Sequence, residues 1–181
     1  MLRTRLAAVL IPLVITSTPV AFGAAPAPLG DSLSDLHAVS QWAVKLSEMA
    51  DKRAKSELVK SYAQTVATTN PTLDAKLVSV AKSQGIDITP PEPQTEERRS
   101  LNERMKAETT LLGSLEGDAF DKEYMTLVTN TQQSVLNLLK ASKSSATDPE
   151  VKKLISELTT TIQTRLKTAQ DVMSKVYGHQ I

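Results

Sequence analysis

Metal binding, proton transfer and nucleophilic attack each need particular side chains in company, and this sequence keeps them apart. Histidine occurs twice, at His37 and His179, and neither stands in a Glu-x-x-His repeat of the kind that builds a di-iron centre inside a helical bundle. Cysteine is absent, which removes both the thiolate and the disulfide. Serine and the acids are abundant, but no serine is matched at a credible spacing with a histidine base and an orienting carboxylate. The six glycines are scattered, with no phosphate-cradling loop and no dinucleotide fingerprint. The sequence therefore predicts no catalytic residue, no cofactor and no metal ligand, and a protein that is not an enzyme.

Charge and composition narrow the partners. Arg3 and Arg5, the apolar run 6–20 and the small residues at 21–25 have the layout of a secretory signal, and Pro12, Pro19 and the Thr16-Ser17-Thr18 cluster argue against a retained membrane anchor. Cleavage after Gly23 or Ala25 leaves at most 158 of the 181 residues, enough for one domain with its own core. Losing two arginines from 21 basic residues, against 20 acidic ones, leaves the exported chain near neutrality. Such a chain has no field to gather nucleic acid or anionic lipid, and one Trp, three Tyr and two Phe provide no stacking platform for bases. Export to the periplasm is the expected location, with no membrane span after cleavage and a protein partner in the cell envelope.

Whatever the chain does must be positioned by helices. Leu33, Leu36, Val39, Ala43, Leu46 and Ala50 recur at three- and four-residue steps, as one apolar stripe. Asp31 or Ser32 is placed to cap that helix, after a flexible segment 26–32. A second stripe, Val59, Tyr62, Ala63, Val66, Asn70, Leu73, Leu77 and Val80, ends near Gln84 with Gly85 as its stop, and Pro71 inside it predicts a kink in one continuous rod. Residues 86–94, with Pro90, Pro91 and Pro93, read as an extended connection. Thr95 opens a charged third helix with few apolar positions, Leu101, Met105, Leu112 and Leu115, expected to lie across the others. Phe120, Tyr124, Leu127, Val128, Thr131, Val135 and Leu138 mark a fourth. Asp148 as cap and Pro149 at the first position open a fifth, along Val151, Ile155, Leu158, Ile162, Leu166, Ala169, Val172, Met173 and Val176. No period-two pattern survives. The fold class is all-α: a four-helix bundle of ferritin-like connectivity over residues 33–177, with a long crossover that contains an extra helix.

The helix at 59–81, the block 112–124 with its Gly, Phe-Asp and Tyr, and the Asp148-Pro149-Glu150 helix start occur in an order that resembles a bacterial family of exported ferritin-like bundles, domain of unknown function 4142. The resemblance spans about 36–173. It implies a metal site with a Glu on the first rod and a His on each of the other three, and alignment of the spacings sets Ala43, Asn70, Gln132 and Arg165 in those four slots. None can replace a histidine or glutamate ligand, so the metal binding that the resemblance implies is expected to be lost. The alternative function, an envelope metal-binding or stress-response protein, would need other ligands.

Three candidates remain. Asn70, Gln132 and Arg165 could form a polar cluster inside the bundle at the former ligand slots, or Gln132 and Arg165 could flank their stripes and reach solvent. Trp42, just off the first stripe beside Ala43, reads either as an interface anchor or as a ring at the edge of the core. His37 and the run Glu96-Glu97-Arg98-Arg99 read as solvated. The functional expectation is an accessory or stabilising subunit of a periplasmic or membrane-associated complex. In size, export and helical character the chain is similar to the accessory small subunit of membrane-bound quinoprotein alcohol dehydrogenases.

Overall fold

Stripes of apolar residues on otherwise polar helices can be buried only against one another, and a computed structural model, which describes residues 28–88 and 95–178, shows how they meet. The helices are α1 (Leu29–Arg53), α2 (Glu57–Ser83), α3 (Glu96–Ser114), α4 (Gly117–Ser145) and α5 (Pro149–Tyr177). Among the described residues there is no strand, and no helix is long and apolar enough to cross a membrane. Residues 1–25, read above as a secretory signal, the proline-rich stretch 89–94 and His179 lie outside the described residues.

The four long rods α1, α2, α5 and α4 form a ring, each packed on the next. Adjacent rods are antiparallel. The start of α1 (Leu33, Leu36, Val39) shares a core with the end of α4 (Val135, Leu138, Leu139), the end of α2 (Leu77, Ala81) and the start of α5 (Val151, Leu154, Ile155). The other end holds a second core from Trp42, Leu46, Ala50, Val59, Tyr62, Phe120, Tyr124, Met125, Ala169 and Val172. The long crossover between α2 and α4 is what permits this arrangement, because it returns the chain to the far end of the bundle.

The crossover helix departs from the sequence expectation. Arg98 near its start meets Asp31 and Asp35 at the start of α1, Thr109 meets Trp42, and Gly113 near its end meets Arg53 at the end of α1. So α3 runs alongside α1 in the same direction instead of lying across the bundle. Only Leu101 and Leu112 are buried on it, with Met105 packed partly buried against both cores, and polar contacts add to its attachment. Arg98 is accordingly held, not solvated: its Nε donates to Asp35 Oδ1 at 3.1 Å and its Nη2 to the Asp31 carbonyl at 2.9 Å.

The ends of the rods follow capping chemistry. Asp148 accepts from the N–H groups of Glu150 and Val151 ahead of Pro149, and Thr95 accepts from Arg98 N, as expected. Gly85, at φ +66, lets Ile86 N reach back to the Ala81 carbonyl and closes α2. Pro71 sits within an unbroken α2. α1 starts at Leu29, ahead of the expected cap, so residues 29–32 are helical: Asp31 lies in the first turn, where Arg98 holds it, and Ser32 is buried without capping.

One buried carboxylate organises the end where four helices turn. Asp121 on α4 is fully buried, and its Oδ1 and Oδ2 accept from the N–H groups of Lys55 (3.0 Å) and Ser56 (2.7 Å) between α1 and α2. It therefore satisfies the start of α2, where the Ser56 hydroxyl makes no capping bond. Beside it Arg53 donates to the carbonyls of Gly113 (2.8 Å) and Leu115 (2.7 Å) and lies 5.3 Å above the Phe120 ring. The Phe120 ring stacks on Tyr124, whose hydroxyl is 3.0 Å from Ser47 Oγ. Asp121→Ala strands two N–H donors and is expected to lower unfolding free energy by about 3 kcal/mol in urea titrations, with Asp121→Asn costing about half as much; a loss below about 0.5 kcal/mol for the alanine would contradict this role.

Glu108, on α3, gives the fold a pH dependence. Burial raises its pKa to about 7, helped by the neighbouring charge of Glu123 and opposed by Arg104, and its Oε2 has no hydrogen-bond partner. The folded state thus holds this proton more tightly than the unfolded chain. Its stabilising effect is complete below the usual carboxylate pKa and is lost as pH rises towards 7. Glu108→Gln is expected to raise stability by about 1 kcal/mol at pH 8, after allowance for solvent screening of a half-buried group, and to leave it unchanged near pH 4. Unfolding curves at the two pH values measure that difference.

Candidate functional site

The two apolar cores do not meet in a continuous layer. Between them, at the middle of the rods, lie the buried polar residues Asn70, Thr131, Gln132 and Arg165. A cavity of about 90 Å³ opens there. Ala43, Asn70, Gln132 and Arg165, one from each rod, all line it, so the four positions aligned from sequence do converge. Leu36, Val39, Val66, Leu77, Val135 and Leu158 form much of the remaining wall.

Helical register delivers these side chains. On α5 the buried positions run Leu158, Arg165, Ala169, Val172, so Arg165 occupies the inward stripe and Leu166 turns partly outward. Arg165 is 9% exposed. Its Nη1 donates to Asn70 Oδ1 and its Nη2 to Thr69 Oγ1. Asn70 is held in turn, its Nδ2 donating to the Ser40 carbonyl at 3.1 Å and to Ser40 Oγ at 3.2 Å. That chain of bonds ties α5 to α2 and α2 to α1.

Gln132 takes a different partner. Its Nε2 donates to the Tyr62 hydroxyl, while its Oε1 and the neighbouring Thr131 Oγ1 are buried with no hydrogen-bond partner among the described residues. Burial pushes the Tyr62 phenol up to about 12, against the opposing effects of Gln132 and Arg165, so the ring stays neutral. Burial likewise lowers the Arg165 pKa, yet a guanidinium keeps its proton under all ordinary conditions. A fixed positive charge therefore stands inside the bundle. No carboxylate among the described residues forms an ion pair with it, for Asp74, which also lines the cavity, has its Oδ1 2.8 Å from His37 Nδ1.

Trp42 follows the core reading of its two alternatives, and His37 departs from the solvated one. Trp42 is 7% exposed and belongs to the core, its Nε1 donating to Thr109 Oγ1 at 2.9 Å, so it serves the α1–α3 contact and offers no free ring for an interface. His37 is half-buried, ringed by Asp74 and by Gln41 Nε2 at 3.1 Å from its Nε2. What sequence reasoning missed were Tyr62, Thr69 and Ser40, the partners of the three polar residues. Tyr62 carried the signal, since it stands on the α2 stripe two turns before Asn70.

A family model described as Domain of unknown function (DUF4142) matches residues 19–172. The chain belongs to the DUF4142 family. Two solved structures of DUF305 proteins share its fold. The putative secreted protein DUF305 from Streptomyces coelicolor superposes with a TM-score of 0.64 at 18% identity, over 83% of this chain and 92% of that one. The DUF305 fragment from Deinococcus radiodurans gives 0.69 at 17% identity, over 82% and 96%. No curated protein matches the sequence.

The metal site that the resemblance to ferritin-like DUF4142 bundles implies does not fit these residues. Ala43 has no donor atom, Asn70 Oδ1 is engaged by a guanidinium, and a bound cation would share the cavity with Arg165. Among the described residues no three His, Asp or Glu side chains gather elsewhere. Asn70→Ala in this DUF4142 chain removes one anchor of a buried charge and is expected to cost about 2 to 4 kcal/mol, whereas Arg165→Met should be neutral within about 1 kcal/mol or stabilising. The double variant should recover at least about 1 kcal/mol of the summed losses in urea unfolding; strict additivity would show that the two side chains do not act as a pair.

Proposed function

We propose that this DUF4142 chain is a non-catalytic helical bundle exported to the periplasm, where it works as an accessory or stabilising subunit by contact with another protein. The observation that carries this reading is the Arg165–Asn70 contact, which sets a cation and its hydrogen-bond acceptor in two of the positions where the resemblance implies metal ligands. Chemistry at a metal is thereby given up while the packed frame is kept. The four slots now support packing and register, and action falls to the outer surface.

That surface favours a polar mode of contact. Among the described residues, Leu58 at the start of α2 is the one large apolar side chain that is well exposed. A partner would therefore meet charged helix faces in a polar interface of modest size. Elemental analysis of protein purified from the native envelope without chelators is expected to find iron and zinc well below stoichiometric amounts. A metal present at one per chain would sink the proposal. Crosslinking in intact cells, followed by quantitation of the captured proteins, should recover one envelope protein at fixed stoichiometry, and a chain recovered only as free monomer would count against the accessory role.

A further inference from the structure

The cavity contains an unbalanced charge, and that imbalance specifies a ligand. Guanidinium groups inside proteins are ordinarily matched by a carboxylate, because removing a lone cation from water is costly. Arg165 has instead two neutral acceptors, Asn70 Oδ1 and Thr69 Oγ1, which leave its remaining N–H donors to face other groups. Thr131 and Gln132 also line the cavity, and their Oγ1 and Oε1 atoms are buried without a partner. Reversal of the Gln132 amide would seat its oxygen on the Tyr62 hydroxyl and release an NH₂ as a further donor. The polar wall thus offers a guanidinium, a hydroxyl and an amide, while Leu36, Val39, Val66, Val135 and Leu158 make the rest apolar. Asp74, in that same wall, is the one carboxylate that would oppose an anion, and His37 holds it.

We propose that this cavity binds a small monocarboxylate, its carboxylate received by Arg165 with Thr131 and Gln132, and its short apolar tail lodged among the aliphatic side chains. Size sets the class. A cavity of roughly 150 Å³ accommodates the six carbons of benzene, so about 90 Å³ suits about four heavy atoms, an acid with a tail of one or at most two carbons. The site goes beyond an accessory role and is independent of it, because a docking subunit needs no occupant between its rods.

The test uses the protein purified after export, with acetate, ethanol and ethylamine as probes of similar size and different charge, read by isothermal titration and thermal unfolding at pH 7. Acetate is expected to bind at least about tenfold more tightly than ethanol, with ethylamine weakest, and to raise Tm by about 5 to 10 °C at a hundredfold excess over Kd. Arg165→Met should bring acetate and ethanol to within about twofold of each other. Should that variant not fold, Arg165→Lys keeps the charge but loses the planar fork, and is expected to weaken acetate by about tenfold. Equal binding of all three probes, or no acetate binding up to about 10 mM, would overturn the proposal. Metal analysis bears on the accessory reading alone, so the two can fail separately.

Discussion

A guanidinium held between two apolar cores is the constraint around which this bundle is arranged. Each core could be formed by many sequences, and stripes of Leu, Val and Ile alone would let rods slide by a turn at little cost. Arg165 forbids that. Moved one turn along α2, it would lose Asn70 and Thr69 and remain charged in the interior, so burial of one cation fixes the register of α5 on α2. Asn70 extends the same register to α1 through Ser40. The stability lost by desolvating the charge is offset by uniqueness of packing, as with single buried polar residues in coiled coils.

The far end of the bundle solves a separate problem, namely where helix termini find their hydrogen bonds without disulfides to hold the turns. Asp121 and Arg53 answer it from opposite directions: a carboxylate from α4 closes the start of α2, and a guanidinium from α1 closes the end of α3. Phe120 and Tyr124 fill the space between them. The block at 112–124 that ties this chain to the DUF4142 family is therefore an end plate for four helices, and its residue types follow from termination and packing. Gly117, at φ +58, supplies the backbone conformation from which α4 can begin directly beneath α3.

Much of this was legible in the sequence, because helix number, order and most ends follow from periodicity and capping residues. The departures on α5 and α1 lie where two adjacent residues compete for one position of a stripe. On α5 the three- and four-residue steps from Leu158 lead through Ile162 to Arg165 and then Ala169, yet Leu166 was chosen as the more hydrophobic neighbour. On α1 the stripe was taken through Ala43, which does line the cavity, and Trp42 was set at its edge, although a step of three from Val39 also reaches Trp42. Where α3 would lie was not legible at all. Its attachment rests on Arg98 and Thr109, and a charged helix shows from its own sequence neither which way its arginines point nor what receives them. The convergence of the four slots was readable only through the family spacing, while Tyr62, Thr69 and Ser40 became partners through distances that no linear pattern contains.

The chain's lone indole is bonded to the crossover rod and otherwise enclosed by the core. Its emission is therefore a native optical gauge of that rod's seating. If α3 lifts from α1 while the four long helices stay together, fluorescence shifts to the red with little change in helical circular dichroism, and two curves that separate in this way would reveal a loosened strap on an intact frame.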